Sequence, residues 1–437
     1  MTGAPAGVTV AAQTITAGAS TATLTVTTTA SAVAGTSTLT VAGTGTGVTI
    51  AAQTVALTIT APVAPIAQIG SDIQNGELGF GAAIALSADG TRIVVGARES
   101  ANGTTRVYQR TGTTWAQLGA DIIGEAATDY AGQSVDINAA GTRIANGAYL
   151  NDTAPFTSSG QIRVYDLVGT TWTQVGADID GEASGHQFGW RVALSASGTR
   201  VIGGSPGAGR ARVFDLVAGS WTLVGAALTG VGISGEFGSS VDVSADGSTV
   251  AVGAASANGL SRAGTVQLYR LVSGAWVQLG GTITGPEIGD NFGQSVALSG
   301  TGSRVAIGAG ANTEASRAGM SVTVGQVRVY ELAGSAWTQL GASVNGDLNM
   351  VNGAKFGETV RLSDDGSRWA SSSPGLSTAQ VYSLSGTAWV LAGPTIPAAA
   401  GLSGRSEGVG LSPDGKTVAV GYINGSPRRV RVFTVTP

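Results

Sequence analysis

The stretch FGWRVALSASGTRVIGG (residues 188–204) is followed by ARVFDL (211–216) and SWTLVG (220–225), and this order of segments decides the fold. Residues 188–195 alternate large with small side chains up to a serine-glycine turn, and a second apolar run follows the turn. This pattern predicts two strands joined by a hairpin. The next two segments are rich in β-branched and aromatic residues, which favour strands. The stretch therefore predicts four successive antiparallel strands, which we name A, B, C and D.

The same four-strand unit recurs along the chain. The D segment is marked by a tryptophan in six copies, namely Trp115, Trp172, Trp221, Trp276, Trp337 and Trp389. An eroded copy with isoleucine in that place stands at residues 66–70. Successive D segments are 49 to 61 residues apart, close to the roughly 40–50 residues of a four-stranded propeller blade. The spacing predicts a β-propeller.

The two ends of the repeat region determine the number of blades. Residues 66–70 match strand D alone, whereas residues 407–435 supply strands A, B and C and then stop. An N-terminal D strand that pairs with the last C strand would convert two exposed sheet edges into one paired ladder. We therefore predict an all-β, seven-bladed β-propeller with four-stranded blades over residues 66–437, closed by its N-terminal strand.

Composition agrees with this architecture and excludes several classes of function. The 437 residues include 69 glycines and only 11% charged residues, with a net charge of −4. A net acidic chain lacks the basic face that nucleic-acid binding requires. Without cysteine, thiolate metal sites and disulfides are excluded, and the single histidine, His186, excludes a multi-histidine metal centre. No apolar stretch approaches the roughly 20 residues of a membrane-spanning helix, so we expect no membrane insertion.

The A segments FGSSV (residues 237–241), FGQSVALS (292–299) and FGETV (356–360) resemble FG-GAP repeats. These repeats form the blades of integrin-α-like propellers and of many bacterial surface proteins. The resemblance extends over residues 66–437 and implies an extracellular location at a cell surface. Integrin-type blades often carry an Asp-x-Asp-x-Asp-Gly calcium loop, which no A–B turn here contains. We therefore expect no cofactor and predict no metal site, with calcium left open.

Residues 1–61 have a different sequence pattern, in which apolar residues alternate with threonine. This segment resembles the latter part of a bacterial Ig-like domain, a sandwich that usually needs about seven strands. Four or five predicted strands are too few to close one. Either the segment belongs to a longer chain or a neighbouring copy supplies the missing strands, which would give self-association through residues 1–65. A stiff proline-alanine linker is predicted at residues 62–65.

Residue types that recur by position predict a scaffold rather than a site. The D-strand tryptophans recur in this way, so packing explains them better than ligand stacking. Two sets of arginines recur as well, and we expect both to bridge strands or blades through carboxylates and carbonyls. The first set is Arg92, Arg143, Arg200, Arg304 and Arg368, and the second is Arg106, Arg163, Arg212, Arg328 and Arg431.

The D–A and B–C loops emerge on one face of the predicted ring, here called the loop face. The B–C loops vary in length, and acidic residues concentrate on this face, both of which favour recognition. Trp190 stands where other blades have smaller residues, and it either packs in the core or stacks on a sugar ring. The candidate ligand-binding residues are Asp129, Tyr149, Asp152, Phe156, Asp180, Glu182, His186, Trp190, Asp290, Glu314 and Arg317.

These features support three hypotheses for function. The first is a non-catalytic adhesion or recognition module that binds a surface glycan or protein through the loop face. The second is a structural subunit of an extracellular filament or surface layer, assembled through the incomplete N-terminal domain. The third is a glycan-cleaving enzyme that uses Asp180 or Glu182, since paired carboxylates suffice for glycoside hydrolysis.

Overall fold

The structure is a computed structural model that describes residues 8–10, 26–28, 35–45, 48–59, 66–230, 236–255, 263–314, 322–347, 353–397, 406–424 and 426–435. It divides into two compact units, Met1–Val63 and Ala64–Pro437. The predicted linker at residues 62–65 lies outside the described residues. In the second unit, seven separate antiparallel sheets follow one another along the chain, which makes it a seven-bladed β-propeller.

Each blade contains an inner A strand followed by a B strand. The A strands of blades 1 to 7 are Phe80–Leu86, Ser134–Ile137, Val192–Leu194, Phe237–Val243, Ser295–Leu298, Val360–Leu362 and Ser406–Leu411. The B strands are Arg92–Ala97, Arg143–Ala148, Arg200–Ser205, Thr249–Ala254, Arg304–Ala309, Arg368–Ser373 and Thr417–Tyr422. Strand A of blade 3 is shorter than the predicted span 188–195, because Gln187 and Gly189 have positive φ.

The C strand of each blade pairs with B on one side and with D on the other. The C strands are Thr104–Thr111, Gln161–Val168, Arg210–Val217, Ala263–Val272, Gln326–Ala333, Thr378–Ser385 and Arg428–Val435. The D strands of blades 1 to 6 are Thr114–Gln117, Thr171–Gln174, Ser220–Leu223, Ala275–Gln278, Ala336–Gln339 and Ala388–Leu391. Short 3₁₀ turns at Pro206–Ala208 and Pro374–Leu376 form the B–C connections of blades 3 and 6.

Strand D does not end where the sequence predicts, because it resumes after a glycine with positive φ and pairs with strand C again. These second segments are Ile122–Ile123, Ile179–Asp180, Leu228–Thr229, Ile283–Ile288, Val344–Asn345 and Ile396–Pro397. Asp180, which the sequence places in a loop, therefore lies on a strand. The glycine is needed because a Cβ on Gly176 would lie 2.7 Å from the Trp221 ring of the next blade.

The N-terminal strand closes the ring, as the sequence predicts. Ile66–Gln68 and Ile73–Asn75 supply the D strand of blade 7 and pair with Arg428–Val435. Gln68 faces Phe433 in this ladder, and Ile66 faces Val435. The last blade is therefore built from both ends of the propeller.

The first unit contains two antiparallel strand pairs among its described residues. Val8–Val10 pairs with Val26–Thr28, and Gly35–Gly45 pairs with Val48–Ile59. These strands lie in the threonine-rich segments that the sequence marks as β structure. Leu39 is buried in the second pair.

The tryptophans of strand D join neighbouring blades, which confirms the predicted structural role. Each indole Nε1 donates a hydrogen bond of 2.7–3.1 Å to the main-chain oxygen of the residue that follows the first segment of strand D in the preceding blade. The ring of Trp276, for example, packs against the core between blades 3 and 4 and donates to the Val224 oxygen at 2.9 Å. A bulky ring that fills the gap between blades and carries one donor explains why the repeat keeps tryptophan at this position.

The first set of recurring arginines also joins neighbouring blades. In each case Nη1 donates to the main-chain oxygen of the glycine in the next blade's A–B turn, at 2.6–3.1 Å. Arg200 shows the full pattern, because its other nitrogens donate to Asp215 on the adjoining C strand. In the second set, Arg106 binds both Glu77 and Asp121 across two blades. Both contacts confirm the predicted bridging.

We expect Trp276→Phe to lower the free energy of unfolding by about 1–2 kcal/mol, because the Val224 oxygen loses its donor while most of the aromatic packing stays. The measurement is urea unfolding followed by circular dichroism. Blade 7 has Ile66 at this position, so the fold tolerates the absence of one indole. An unchanged unfolding free energy would contradict a stabilising role for this hydrogen bond.

Candidate functional site

The seven A strands line a central channel with a cavity at each end. Strand A follows the D–A loop, so its first residues lie at the loop face and its last residues at the opposite face. The cavity at the loop face, here called the upper chamber, has a volume of about 250 Å³ and is lined by residues that include Gln133, Arg191 and Glu358. The cavity at the other end, the lower chamber, has a volume of about 130 Å³ and includes residues of the A–B turns.

Residues at two positions of each A strand face the channel, and most of them are small. Counted from the phenylalanine of the Phe-Gly pair, or from the aligned Ala131 and Arg405 in blades 2 and 7, the fourth positions are Ala83, Ser134, Arg191, Ser240, Ser295, Thr359 and Gly408. The sixth positions are Ala85, Asp136, Ala193, Asp242, Ala297, Arg361 and Gly410. Four residues depart from the small-residue pattern by carrying charge into the channel: Asp136, Arg191, Asp242 and Arg361.

The aspartates of the channel hold neighbouring A strands together. Asp136 Oδ2 accepts a hydrogen bond of 2.6 Å from the Leu194 main-chain N–H of the next blade. Asp242 Oδ2 accepts an equivalent bond of 2.6 Å from the Leu298 N–H. Adjacent A strands do not form a sheet ladder with each other, so these side chains supply acceptors for main-chain donors that would otherwise face the channel.

Burial raises the pKa of both aspartates. The pKa of Asp136 is raised to about 6 by desolvation, although the hydrogen bond from Leu194 and the charge of Arg361 act in the opposite direction. Desolvation likewise raises the pKa of Asp242 to about 7, with a further contribution from the charge of Asp136. The two carboxyl groups and Arg361 all line the lower chamber, so their charges interact there.

The arginines of the upper chamber differ from the aspartates in having few partners. Arg98 is paired, because its nitrogens lie 3.4 Å from oxygens of Glu99 and Glu407. Arg191 donates one long hydrogen bond of 3.4 Å, to the Trp190 main-chain oxygen. Arg361 donates to the main-chain oxygens of Val360 and Ile84 at 3.2 and 3.5 Å.

An aromatic cluster at the loop face, here called the aromatic platform, consists of Tyr130, Tyr149 and Trp190. Tyr149 lies edge-on to Trp190 with ring centroids 4.6 Å apart, and its ring is 5.6 Å from that of Tyr130. All three side chains are partly exposed. Trp190 precedes Arg191 directly. Desolvation raises the pKa of Tyr149, and the charge of nearby Arg98 opposes this shift.

The long B–C loop of blade 2 is fixed to the neighbouring D–A loop. The Ser158 N–H donates to Asp152 Oδ1 at 2.6 Å within the loop, and the Thr157 N–H donates to the Ser184 hydroxyl across the two loops. The partly exposed Phe156 lies in the same loop. Asp129 lies beneath this surface, 4% exposed, and accepts a bond from Asn151. The loop therefore presents Tyr149 from a fixed position.

Asp180 and Glu182 are engaged by neighbouring side chains. Asp180 Oδ1 accepts hydrogen bonds from the Thr153 hydroxyl and the Gln161 amide. Glu182 forms ion pairs with Arg210 at 2.7 Å and Arg212 at 3.2 Å. His186 lies in the same D–A loop, where burial and the charge of Arg210 lower its pKa. These contacts give both carboxylates structural partners between blades 2 and 3.

The other candidate residues lie on blade 5, apart from the aromatic platform. Asp290 is 2% exposed, and its Oδ1 accepts a hydrogen bond from the Phe292 N–H inside the D–A loop. Burial raises the pKa of Asp290. Glu314 ends the short strand Thr313–Glu314, which pairs with Val322–Thr323 in the long B–C loop. Arg317 lies outside the described residues.

The structure thus places Tyr149 and Trp190 together and adds residues that the sequence reasoning missed, namely Tyr130, Arg98, Arg191 and Arg361. A signal for the last two was present in the sequence. When the seven A segments are aligned, Arg191 and Arg361 replace alanine, serine, threonine, glycine or aspartate at positions that face the channel.

The fold and the channel define the chain's second unit as a seven-bladed β-propeller built from sequence repeats. No protein-family model matches the sequence, and no curated protein matches it either. In the described part of the chain, no helix is long and apolar enough to cross a membrane. No cluster of three or more histidine, aspartate or glutamate side chains suited to a metal ion is found among those residues.

Proposed function

We propose that this propeller is a non-catalytic recognition module of the FG-GAP kind that binds a surface glycan through its loop face. In this proposal the N-terminal unit is part of an Ig-like domain, and the protein acts outside the cell at a cell surface. The observation that carries the proposal is the aromatic platform, in which the partly exposed Tyr149 is in ring contact with Tyr130 and with Trp190.

The platform suits a carbohydrate for two reasons. Aromatic rings with an apolar face and a polar edge are the side chains that proteins use where one side of a ligand is apolar and the other is wet. The platform also stands on a rigid ring, since the loop that carries Tyr149 is bonded to the neighbouring D–A loop. A rigid platform loses little conformational entropy when a ligand binds.

Trp190→Gln should reduce binding to the recognised glycan at least tenfold on a glycan array, because the stacking surface at the centre of the platform is lost. Glutamine occupies the same repeat position in blades 2 and 5, as Gln133 and Gln294, so the variant should fold. Tyr149→Ala should have a similar effect.

The matched control is Leu78→Ala, which changes a 52% exposed apolar residue in another D–A loop of the same face. This variant should bind like the unchanged protein. If the array finds no glycan that binds, or if Trp190→Gln binds as tightly as the Leu78→Ala control, the proposal is wrong.

A further inference from the structure

Arg191 and Arg361 bring positive charge into the upper chamber, and Arg361 also faces Asp136 and Asp242 in the lower chamber. A guanidinium has five N–H donors, yet Arg191 donates only one long bond and Arg361 donates two, all to main-chain oxygens. Within the described ranges, neither arginine forms an ion pair. Both side chains are partly exposed and line the upper chamber.

The scaffold does not require an arginine at either position. Position four is serine in blades 2, 4 and 5, and Ser134 and Ser295 each accept a hydrogen bond from the next A strand there. Position six is alanine in blades 1, 3 and 5. Blades 3 and 6 could therefore close the ring with serine or alanine, as their neighbours do.

Electrostatics disfavours the charged form of Arg191 in this chamber. Desolvation, together with the charges of Arg361 and Arg98, lowers the pKa of Arg191 to about 10. Glu358 and Glu407 face the same chamber and offset part of this repulsion. Arg98 is paired with Glu99 and Glu407, and Arg361 faces Asp136 and Asp242, so a bound carboxylate would mainly compensate the charge of Arg191.

We propose that the upper chamber binds the carboxylate group of an acidic sugar, with Arg191 and Arg361 as the groups that receive the carboxylate oxygens. This inference rests on the proposed function and names its ligand class. Arginine suits the task because its planar fork matches the two oxygens of a carboxylate.

The neighbouring groups favour a sugar acid over a bare anion. Trp190 of the aromatic platform directly precedes Arg191 in the chain, so a pyranose ring could lie on Trp190 or Tyr149 while its carboxylate reaches Arg191. Gln133, Ser134 and Thr359 line the chamber as neutral donors and acceptors for hydroxyl groups. The volume of about 250 Å³ exceeds the roughly 30 Å³ of a water molecule several times and suits one monosaccharide unit.

The test is titration calorimetry on the full chain at low ionic strength with four probes: galacturonate, galactose, acetate and a galacturonate oligosaccharide. Galacturonate and galactose differ only in the carboxylate at C6. The variants are Arg191→Ser and Arg361→Ala, which install residues that other blades carry. The control is Arg270→Ala, which removes the same charge from an exposed site on strand C of blade 4.

We expect galacturonate, free or in the oligosaccharide, to bind at least tenfold more tightly than galactose. Each chamber variant should lose about tenfold or more of this affinity, since a charge-assisted hydrogen bond is worth about 1.5–3 kcal/mol. The Arg270 variant should bind within about twofold of the unchanged protein. Tight binding of the oligosaccharide alone would identify a polymer as the source of the acid, and equal binding of the monosaccharide would identify a free sugar acid.

Three results would overturn the inference: no heat of binding with either acidic probe, equal affinity for galactose and galacturonate, or an affinity that both chamber variants retain. Acetate binding as tightly as galacturonate would also overturn it, because the site would then recognise any small anion. A neutral glycan that binds the array through Trp190 while acidic probes fail would leave the proposed function standing.

Discussion

A chain that begins at Glu77 should fail to form a stable monomer, whereas a chain that begins at Ala64 should fold as a propeller. The shorter chain lacks Ile66–Gln68 and Ile73–Asn75, which complete blade 7. It also loses the buried side chains of Ile69 and Ile73. Burying an isoleucine contributes about 2 kcal/mol, so these two side chains alone account for a large part of a typical stability of about 5–15 kcal/mol.

Removal of the N-terminal strand also exposes the edge of strand C in blade 7. Arg428–Val435 would present unpaired main-chain groups over eight residues, and unpaired edges of this length promote aggregation. Arg429 would lose its ion pair with Asp72, which the complete ring holds at 3.0 Å. Static light scattering and urea unfolding of the two chains measure both consequences.

A synthetic peptide of residues 64–76 provides the decisive control. Added to the shorter chain, it should restore the soluble monomer, because it supplies the strand that pairs with Arg428–Val435. If the shorter chain is monomeric and unfolds with the free energy of the longer one, ring closure by the N-terminal strand does not stabilise the fold.

The architecture could be predicted from the sequence because the same pattern of strands and turns occurs in every repeat. The tryptophan of strand D, the Phe-Gly pair of strand A and the Asp-Gly turn recur in the same order along the chain, so a weak match in one blade can be interpreted from the other blades. Ile66 aligns with the tryptophan of strand D in the other blades, and this alignment predicts which strand closes the ring. Local details were harder: the second segment of strand D follows from a glycine bend that pairs again with strand C, and Asp180 was misplaced for that reason.

The candidate site was predicted less completely because its residues break the repeat instead of following it. Trp190 was noticed as an exception, but its partners Tyr149 and Tyr130 come from a B–C loop and a D–A loop whose approach depends on the ring. Arg191 and Arg361 lie 170 residues apart in sequence and meet only because A strands from opposite parts of the chain line one channel. The composition of the loops also does not show that Asp129 and Asp290 are buried beneath the surface.

Relative to the unchanged protein, Asp242→Asn should become more stable as the pH rises from 4 to 8. The folded state holds the Asp242 proton up to a pKa of about 7, whereas the unfolded chain releases it near pH 3.9. Between these values the folded state binds more protons, so stability falls as the pH rises from about 4 to 7. Asparagine carries no charge, so the variant does not lose stability in this way as the pH rises. It keeps one oxygen that accepts from the Leu298 N–H and gives up the acceptor of the Val243 N–H.

The expected gain at pH 8 is on the order of 2 kcal/mol, since one pKa unit corresponds to about 1.4 kcal/mol and the partly exposed channel reduces the full effect. Asp136→Asn should show the same sign with a smaller gain, because the pKa of Asp136 is raised only to about 6. Arg361 faces both carboxyl groups, so Arg361→Ala should enlarge both gains. The measurement is urea unfolding of each variant and of the unchanged protein from pH 2 to 8.

Asp246→Asn provides a control of opposite sign only four residues away. Burial raises the pKa of Asp246, but hydrogen bonds from Ser244 and Ser248 outweigh it and hold the pKa below its usual value. This carboxylate stabilises the fold when ionised, so its replacement should destabilise the protein at pH 8, and the loss should shrink as the pH falls through the lowered pKa.

Asp242→Ala completes the comparison: it leaves the Leu298 N–H without its acceptor and should cost about 1–3 kcal/mol at pH 4, where the charge of Asp242 plays no part. If Asp242→Asn and Asp246→Asn responded to pH with the same sign, burial in the channel would not be the cause of the raised pKa.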